Sequence, residues 1–263
     1  MLNVKPLTSR HNPIVQQTRA LLRSAAERRE SALFAAEGVK LAAELASRGW
    51  QPEYVLSTQQ NSETISELFA DSDVTFYVLG DELLAYVTGE SAPQGVICVC
   101  KIHWPPSFSA QGNALVLCGI QDPGNMGTIL RTAAAFGIRD IFTDSGCADI
   151  YSPKTLRASM GAVFALSVRE CGDDAGKAID SLRGSGYSVL AAALRAEKIM
   201  TPPEAFEAFR GRRALVLGSE GRGLPDEIIA SCDAAVCIPM DGMESLNVAV
   251  AAGILMWEIL SRT

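Results

Sequence analysis

The chain has 263 residues, with 23 Lys+Arg against 30 Asp+Glu and a formal net charge of −7. That length exceeds one small core, and 48% hydrophobic residues are enough to bury real cores, which excludes a disordered chain. The acidic total excludes a histone-like, charge-only binder of nucleic acid. No apolar run approaches the roughly 18–20 residues that span a bilayer, and the opening MLNVKPLTSRHNP lacks the apolar stretch of a signal peptide.

In chain order, the spacing of apolar residues predicts a helix over 12–29, a strand at 32–36 and a helix at 39–48. Further elements follow: a strand at 53–57, a helix at 62–70, a strand at 74–79, a helix at 81–87 and a strand at 95–101. This alternation implies a small α/β layer structure. Pro105-Pro106 and the Ser, Gln, Gly and Asn after them cannot continue a helix or a central strand. They mark a linker at 105–112 between a first domain, 1–104, and a second, 113–263.

The second domain begins with the all-apolar strand 114–118, suited to a buried parallel sheet. Further strands are expected at 141–143, 163–168, 189–193, 214–217 and 234–238, and helices at 125–136, 152–160, 174–182, 225–231 and 245–260. The expected fold class is α/β, an open and mostly parallel sheet with helices on both faces, whose ligands bind at the carboxyl ends of strands.

Several chemistries fail on the residues. Seven cysteines, an odd number in mostly apolar runs, read as buried hydrophobes in a reducing cytosol. With no Cys-x2-Cys pair and only His11 and His103 as imidazoles, no metal site is expected. Gly172–Ala178 has the wrong spacing for a P-loop, no Gly-x-Gly-x-x-Gly follows the strand 114–118, and no Gly-x-Ser-x-Gly elbow is present.

Three strands of the second domain run into loops rich in Gly, Pro and polar residues: Gly119–Arg131, Leu217–Pro225 and Ile238–Asn247. Glycines there permit tight turns and close approach of backbone to a ligand. Asn125 and Ser245 are good helix N-cap types. Three such loops, each offering Asn, Glu, Arg or Ser beside Gly, favour a binding site over plain architecture.

In this order the loops resemble the three motifs of the SpoU (TrmH) family of RNA ribose 2′-O-methyltransferases, within the SPOUT class. Asn125-Met-Gly127 with Arg131-Thr-Ala133 is similar to the first motif. Leu215–Leu224 is similar to the second, and Ile238-Pro-Met240 with Ser245–Ala251 to the third. The opening Ser9–Ile14 and the turn Ala36–Val39 resemble the substrate-binding domain of long family members. The resemblance implies a trefoil knot in the second domain, S-adenosylmethionine as cofactor, a homodimer through the C-terminal domain, and a ribosomal-protein-like RNA-binding fold in the first. It implies 2′-O-methylation of RNA in the cytoplasm, with 23S ribosomal RNA favoured, and tRNA or a catalytically silent RNA-binding homologue as alternatives.

The resemblance also implies roles. Leu217, Gly218, Ile238, Met240, Ser245 and Leu246 would line the cofactor site, with a plain core position as the lesser alternative for Ile238 and Leu246. Arg131 would be catalytic, with Asn125, Glu220, Ser245 and Asn247 around it. A guanidinium stays protonated, so Arg131 fits an electrostatic role, gripping a phosphate and favouring a developing alkoxide. Asn125 would orient the substrate or Arg131, and six residues of spacing would leave the two near one end and side of a helix.

Charge is uneven along the chain. Residues 1–30 hold six basic groups (Lys5, Arg10, Arg19, Arg23, Arg28 and Arg29) against Glu27 and Glu30, a balance of +4 that leaves −11 on the rest. Arg10, Arg19, Arg23, Arg28 and Arg29 are therefore candidate RNA contacts, with a solvated helix face as the alternative.

Overall fold

The computed structural model describes residues 3–70, 72–104, 111–219, 221–242 and 245–261. By its contacts the chain divides into two units, residues 1–103 with 149–164, and 104–148 with 165–263. Residues 105–110 of the expected linker lie outside the described residues.

The first unit contains β1 (Asn3–Leu7), α1 (Pro13–Arg23), α2 (Ala25–Ser31), β2 (Leu33–Glu37), α3 (Val39–Ser47), β3 (Pro52–Ser57), α4 (Ser62–Leu68), β4 (Thr75–Leu79), α5 (Asp81–Thr88) and β5 (Val96–Lys101). Its five-stranded sheet runs β1-β4-β3-β5-β2. β1, β4 and β3 are parallel, and β5 is antiparallel to both β3 and β2.

One long helix was expected at 12–29, and the chain instead breaks at Ser24. Its backbone is extended there, and its N–H donates to Ala20 O at 2.8 Å, ending α1. Its hydroxyl accepts from Glu27 N at 3.2 Å, which starts α2. A serine that caps both ways offers the backbone an alternative to a continuous helix. β1 was not expected because Lys5 and Pro6 break its apolar pattern. Proline is tolerated on the edge of a sheet, where β1 lies.

The second unit contains β6 (Ala114–Leu117), α6 (Pro123–Ala135) and β7 (Asp140–Thr143). The next helix, α7 (Pro153–Ser159), belongs to the first unit. The second unit resumes with β8 (Ser167–Glu170), α8 (Ala175–Gly184), β9 (Ser188–Ala192), β10 (Ile199–Met200), α9 (Pro202–Ala208), β11 (Arg213–Leu217), α10 (Asp226–Ala230), β12 (Ala234–Val236) and α11 (Val248–Ser261). Its seven-stranded sheet runs β10-β12-β9-β11-β6-β7-β8, and every pairing is parallel. Central strands β6 and β11 are buried throughout, as a parallel sheet covered on both faces requires. α8 packs on β6, β7 and β9, and α11 packs on β11, α6 and α9.

The segment 149–164, placed by sequence in the second domain, packs instead on the first unit. Phe34 stacks on Tyr151 at 4.6 Å and on Phe164 at 5.9 Å. Trp50 Nε1 donates to Phe164 O at 3.1 Å. Arg28 pairs with Asp149 at 2.7 Å, and Arg157 with the buried Glu37 at 3.8 Å. No described helix is long and apolar enough to cross a membrane.

Candidate active site

β9 lies between β12 and β11 in the sheet although neither follows it directly in sequence. The chain leaves their carboxyl ends in three loops, and between those loops lies a cavity of about 380 Å³. That is the general location expected for ligands of open parallel sheets. Leu217, Gly218, Ile238, Met240, Ser245 and Leu246 all line it. Ile238 is half-buried and Leu246 is 37% exposed. Both therefore form the wall of a cavity rather than the interior of a core.

The loop after β11 closes on itself. A Cβ on Gly218 would fall 2.4 Å from the backbone carbon of Gly223, a separation no side chain accepts. Gly223 N–H donates to Ser219 O at 2.9 Å, and Gly223 holds a φ of +67°, a left-handed conformation suited to glycine. These constraints keep residues 217–219 and 221–224 along the cavity wall.

The loop after β12 meets the first turn of α6, which follows β6, through two asparagines. Asn247 Nδ2 donates to Asn125 Oδ1 at 3.1 Å. Asn247 Oδ1 accepts from Ala249 N at 3.0 Å and Val250 N at 3.3 Å, so Asn247, and not Ser245, caps α11. α6 likewise begins earlier than expected: Asp122 is its N-cap, accepting from Asn125 N at 2.9 Å, and Pro123 opens the helix.

Arg131 is exposed on α6 and does not line the cavity. Six residues of helix separate it from Asn125 by about 9 Å along the axis and about 120° around it. The expected shared side therefore does not hold, because a period of 3.6 residues turns position six away. Glu220 lies outside the described residues. Among the described residues, no group of His, Cys, Asp and Glu is arranged to hold a metal ion.

Four cysteines of this unit are pushed up in pKa by burial, Cys147 and Cys232 to about 12 and Cys171 to about 11, with Cys118 higher still. Burial thus disfavours the thiolate form that a nucleophilic cysteine needs.

Sequence reasoning missed Ala193, Leu194 and Arg195, which line the cavity from the loop after β9. Arg195 pairs with Asp226 at 3.2 Å. Their only signal was position, a loop following a buried strand. Arg222 also lines the cavity and lay within the second motif.

Of the candidate RNA contacts in the first unit, Arg28 is withdrawn. It is buried, donates to Leu21 O and holds Asp149, so it cannot reach a phosphate. Arg10, Arg23 and Arg29 are exposed and Arg19 is half-buried.

A knot-class methyltransferase is what these loops and this sheet resembled in sequence, and comparison with known proteins gives the family. The model of the SpoU rRNA Methylase family matches residues 112–257, and that of the MRM3-like substrate binding domain matches 12–98. An uncharacterised tRNA/rRNA methyltransferase of Synechocystis sp. is 30% identical over 97% of this chain and 93% of its own length. The 23S rRNA (guanosine-2′-O)-methyltransferase RlmP of Bacillus subtilis is 31% identical over 89% of this chain and 90% of its own. The crystal structure of an AdoMet-bound rRNA methyltransferase from Sinorhizobium meliloti superposes with a TM-score of 0.87 at 29% identity, covering 98% of this chain and 97% of that one.

The chain belongs to the SpoU rRNA methylase family. It is an RNA 2′-O-ribose methyltransferase, and its cofactor is S-adenosylmethionine. The cavity fits that cofactor. Its volume falls in the roughly 300–1,000 Å³ range of small-molecule sites. Leu217, Val236, Ile238 and Leu246 offer an apolar slot for adenine, and Ser219, Ser245, Arg195 and Arg222 offer polar groups for the rest.

Proposed function

We propose that this chain methylates the 2′-hydroxyl of a ribose in 23S ribosomal RNA, acting in the cytoplasm as a homodimer with a trefoil knot in its second unit. The observation that carries the reading is the cavity at the strand ends, lined by all six expected cofactor residues, with the third loop tied to α6 by the Asn247–Asn125 hydrogen bond. The likeness over nearly full length to a 23S rRNA methyltransferase supports the choice of RNA. The match of the SpoU rRNA Methylase family model over residues 112–257 supports the knot. An exposed apolar stripe on α11 supports the dimer.

When bound, S-adenosylmethionine supplies an electrophilic methyl group. The chain's residues supply position and charge. Leu217, Ile238 and Leu246 hold the adenine, and Gly218 brings backbone close to it. Asn247 fixes the third loop to Asn125, so the wall of the cavity and the first turn of α6 move as one. Arg131, exposed on α6, meets an RNA phosphate and stabilises charge growing on the ribose oxygen. Ser245 supplies a hydroxyl to the cavity wall, and the motif resemblance assigns Glu220 to the same polar network.

The test is transfer of label from S-adenosyl[methyl-³H]methionine to unmodified 23S rRNA and, separately, to unmodified tRNA. Label is expected in 23S rRNA within alkali-resistant dinucleotides, the mark of a blocked 2′-hydroxyl. Label confined to tRNA, or released with free bases, would overturn the substrate. Arg131→Ala is expected to retain cofactor binding by calorimetry and to lose at least about 100-fold in turnover. Near-normal turnover would remove Arg131 from the mechanism.

A further inference from the structure

Three arginines of the first unit gather at the carboxyl end of α5. Arg19 donates to Tyr86 O, and its guanidinium lies over the Tyr86 ring at 4.0 Å. Arg10, in the loop before α1, lies over the same ring at 5.0 Å. Arg23, one turn beyond Arg19 on α1, rests against Gly89, the left-handed residue that ends α5, where a Cβ would fall 2.5 Å from its Nη2. Gln16 Nε2 donates to Tyr86 Oη at 3.2 Å and fixes the edge of the ring.

The bland account is capping, since cations satisfy the last carbonyls and the negative end of a helix dipole. It explains why one arginine would settle there. It does not explain three, because a helix end carries only about half a unit of negative charge. Among the described residues no carboxylate pairs with Arg10, Arg19 or Arg23, whereas Arg28, Arg48 and Arg157 of the same unit each meet one. Glu90, next to Gly89, subtracts a single charge and leaves a positive patch on a chain whose total is −7.

We propose that Arg10 and Arg19, braced on Tyr86, and Arg23, resting against Gly89, form a phosphate-binding site for the backbone of the RNA substrate. The inference rests on the RNA methyltransferase reading and adds to it the place where the first unit grips its substrate. A guanidinium stacked on an aromatic ring loses little further freedom when its planar fork meets a phosphate. With guanidinium groups over its ring, Tyr86 is a brace and not a platform for a base. The site therefore contributes affinity and salt dependence without reading sequence.

The experiment is fluorescence anisotropy of the full chain with a labelled RNA hairpin across a potassium chloride series. Replacing Arg10, Arg19 and Arg23 together by Gln is expected to weaken binding at least about tenfold and to lower the salt slope by about two to three. The single exposed variants Arg10→Gln and Arg23→Gln should each lower the slope by about one. They carry the test if the triple variant does not fold. Cofactor affinity by calorimetry should match the parent in every folded variant, and the melting temperature should match it in the two single variants. Folded variants with the parent's affinity and slope would overturn the site and leave the methyltransferase reading standing. A parent chain that binds RNA through these arginines yet transfers no methyl group to any RNA would support the site and overturn that reading. A parent that binds no RNA would overturn both.

Discussion

Arg28 places two guanidinium nitrogens 2.7 Å from one carboxylate oxygen of Asp149 and donates a further hydrogen bond to Leu21 O. Its side chain is 5% exposed and that of Asp149 20%. The pair holds the 149–164 segment on α2, so its worth lies in connection rather than in Coulomb energy alone. Truncating one partner of such a pair strands the other charge away from water. Arg28→Ala should therefore lower the unfolding free energy by about 3 kcal/mol, read from urea denaturation. Arg23→Ala, exposed on α1, should change it by less than about 0.5 kcal/mol. Equal losses in the two variants would show that the Arg28–Asp149 contact carries no special weight.

Among the elements, α6 and α11 set the site, and both begin where a side-chain oxygen stops the chain from extending further. Asn247 performs two tasks at once, capping α11 and holding Asn125 of α6. Asn247→Ala should cost about 1 kcal/mol for the lost cap and also lower turnover. Asn125→Ala leaves that cap in place and should lower turnover with a smaller loss of stability. Denaturation midpoints and methyl transfer measured on both variants separate the tasks, and a stable, fully active Asn247→Ala variant would sink this account. The central strands were legible in sequence because β6 and residues 214–217 of β11 are unbroken apolar runs, the pattern of a doubly covered parallel sheet. The helix starts were less legible. Asp122-Pro123 reads as a turn until the chain is seen to continue helically, and α9 hides behind Pro202-Pro203 although Thr201 and Glu204 form a capping box there. The attachment of 149–164 to the first unit was not legible at all, because it depends on Phe34, Trp50 and Arg28 far away in sequence. The cavity residues were legible through the motif resemblance alone. Nothing in the periodicity of Ile238 or Leu246 separates a cavity wall from a core.

At the scale of the whole molecule, α11 presents two apolar sides. Ala252, Leu255, Met256 and Ile259 are buried within the second unit. Val250, Ile254, Trp257 and Leu260 recur at helical spacing on the outside and are 52%, 38%, 56% and 45% exposed. A row of large apolar side chains left in water is the mark of an interface, and a stable one needs about 800 Å² from each partner, more than this row alone supplies. α6 provides the continuation: Phe136, which caps its carboxyl end, lies 5.9 Å from Trp257, and Thr132 faces Gly253 of α11. A second copy seated on this surface would lie beside the turn of α6 that carries Arg131. Replacing Ile254 and Trp257 by Glu puts two charges into that surface without touching the cavity, whose α11 wall is Val248, Ala251 and Leu255. The doubly substituted chain should elute and scatter light as a folded monomer, while the parent does so as a dimer. Its turnover should fall further than its cofactor affinity, because the partner is lost from beside Arg131 while the cavity remains. A parent that is already monomeric at micromolar concentration, or a variant that stays dimeric, would place the contact elsewhere on the chain.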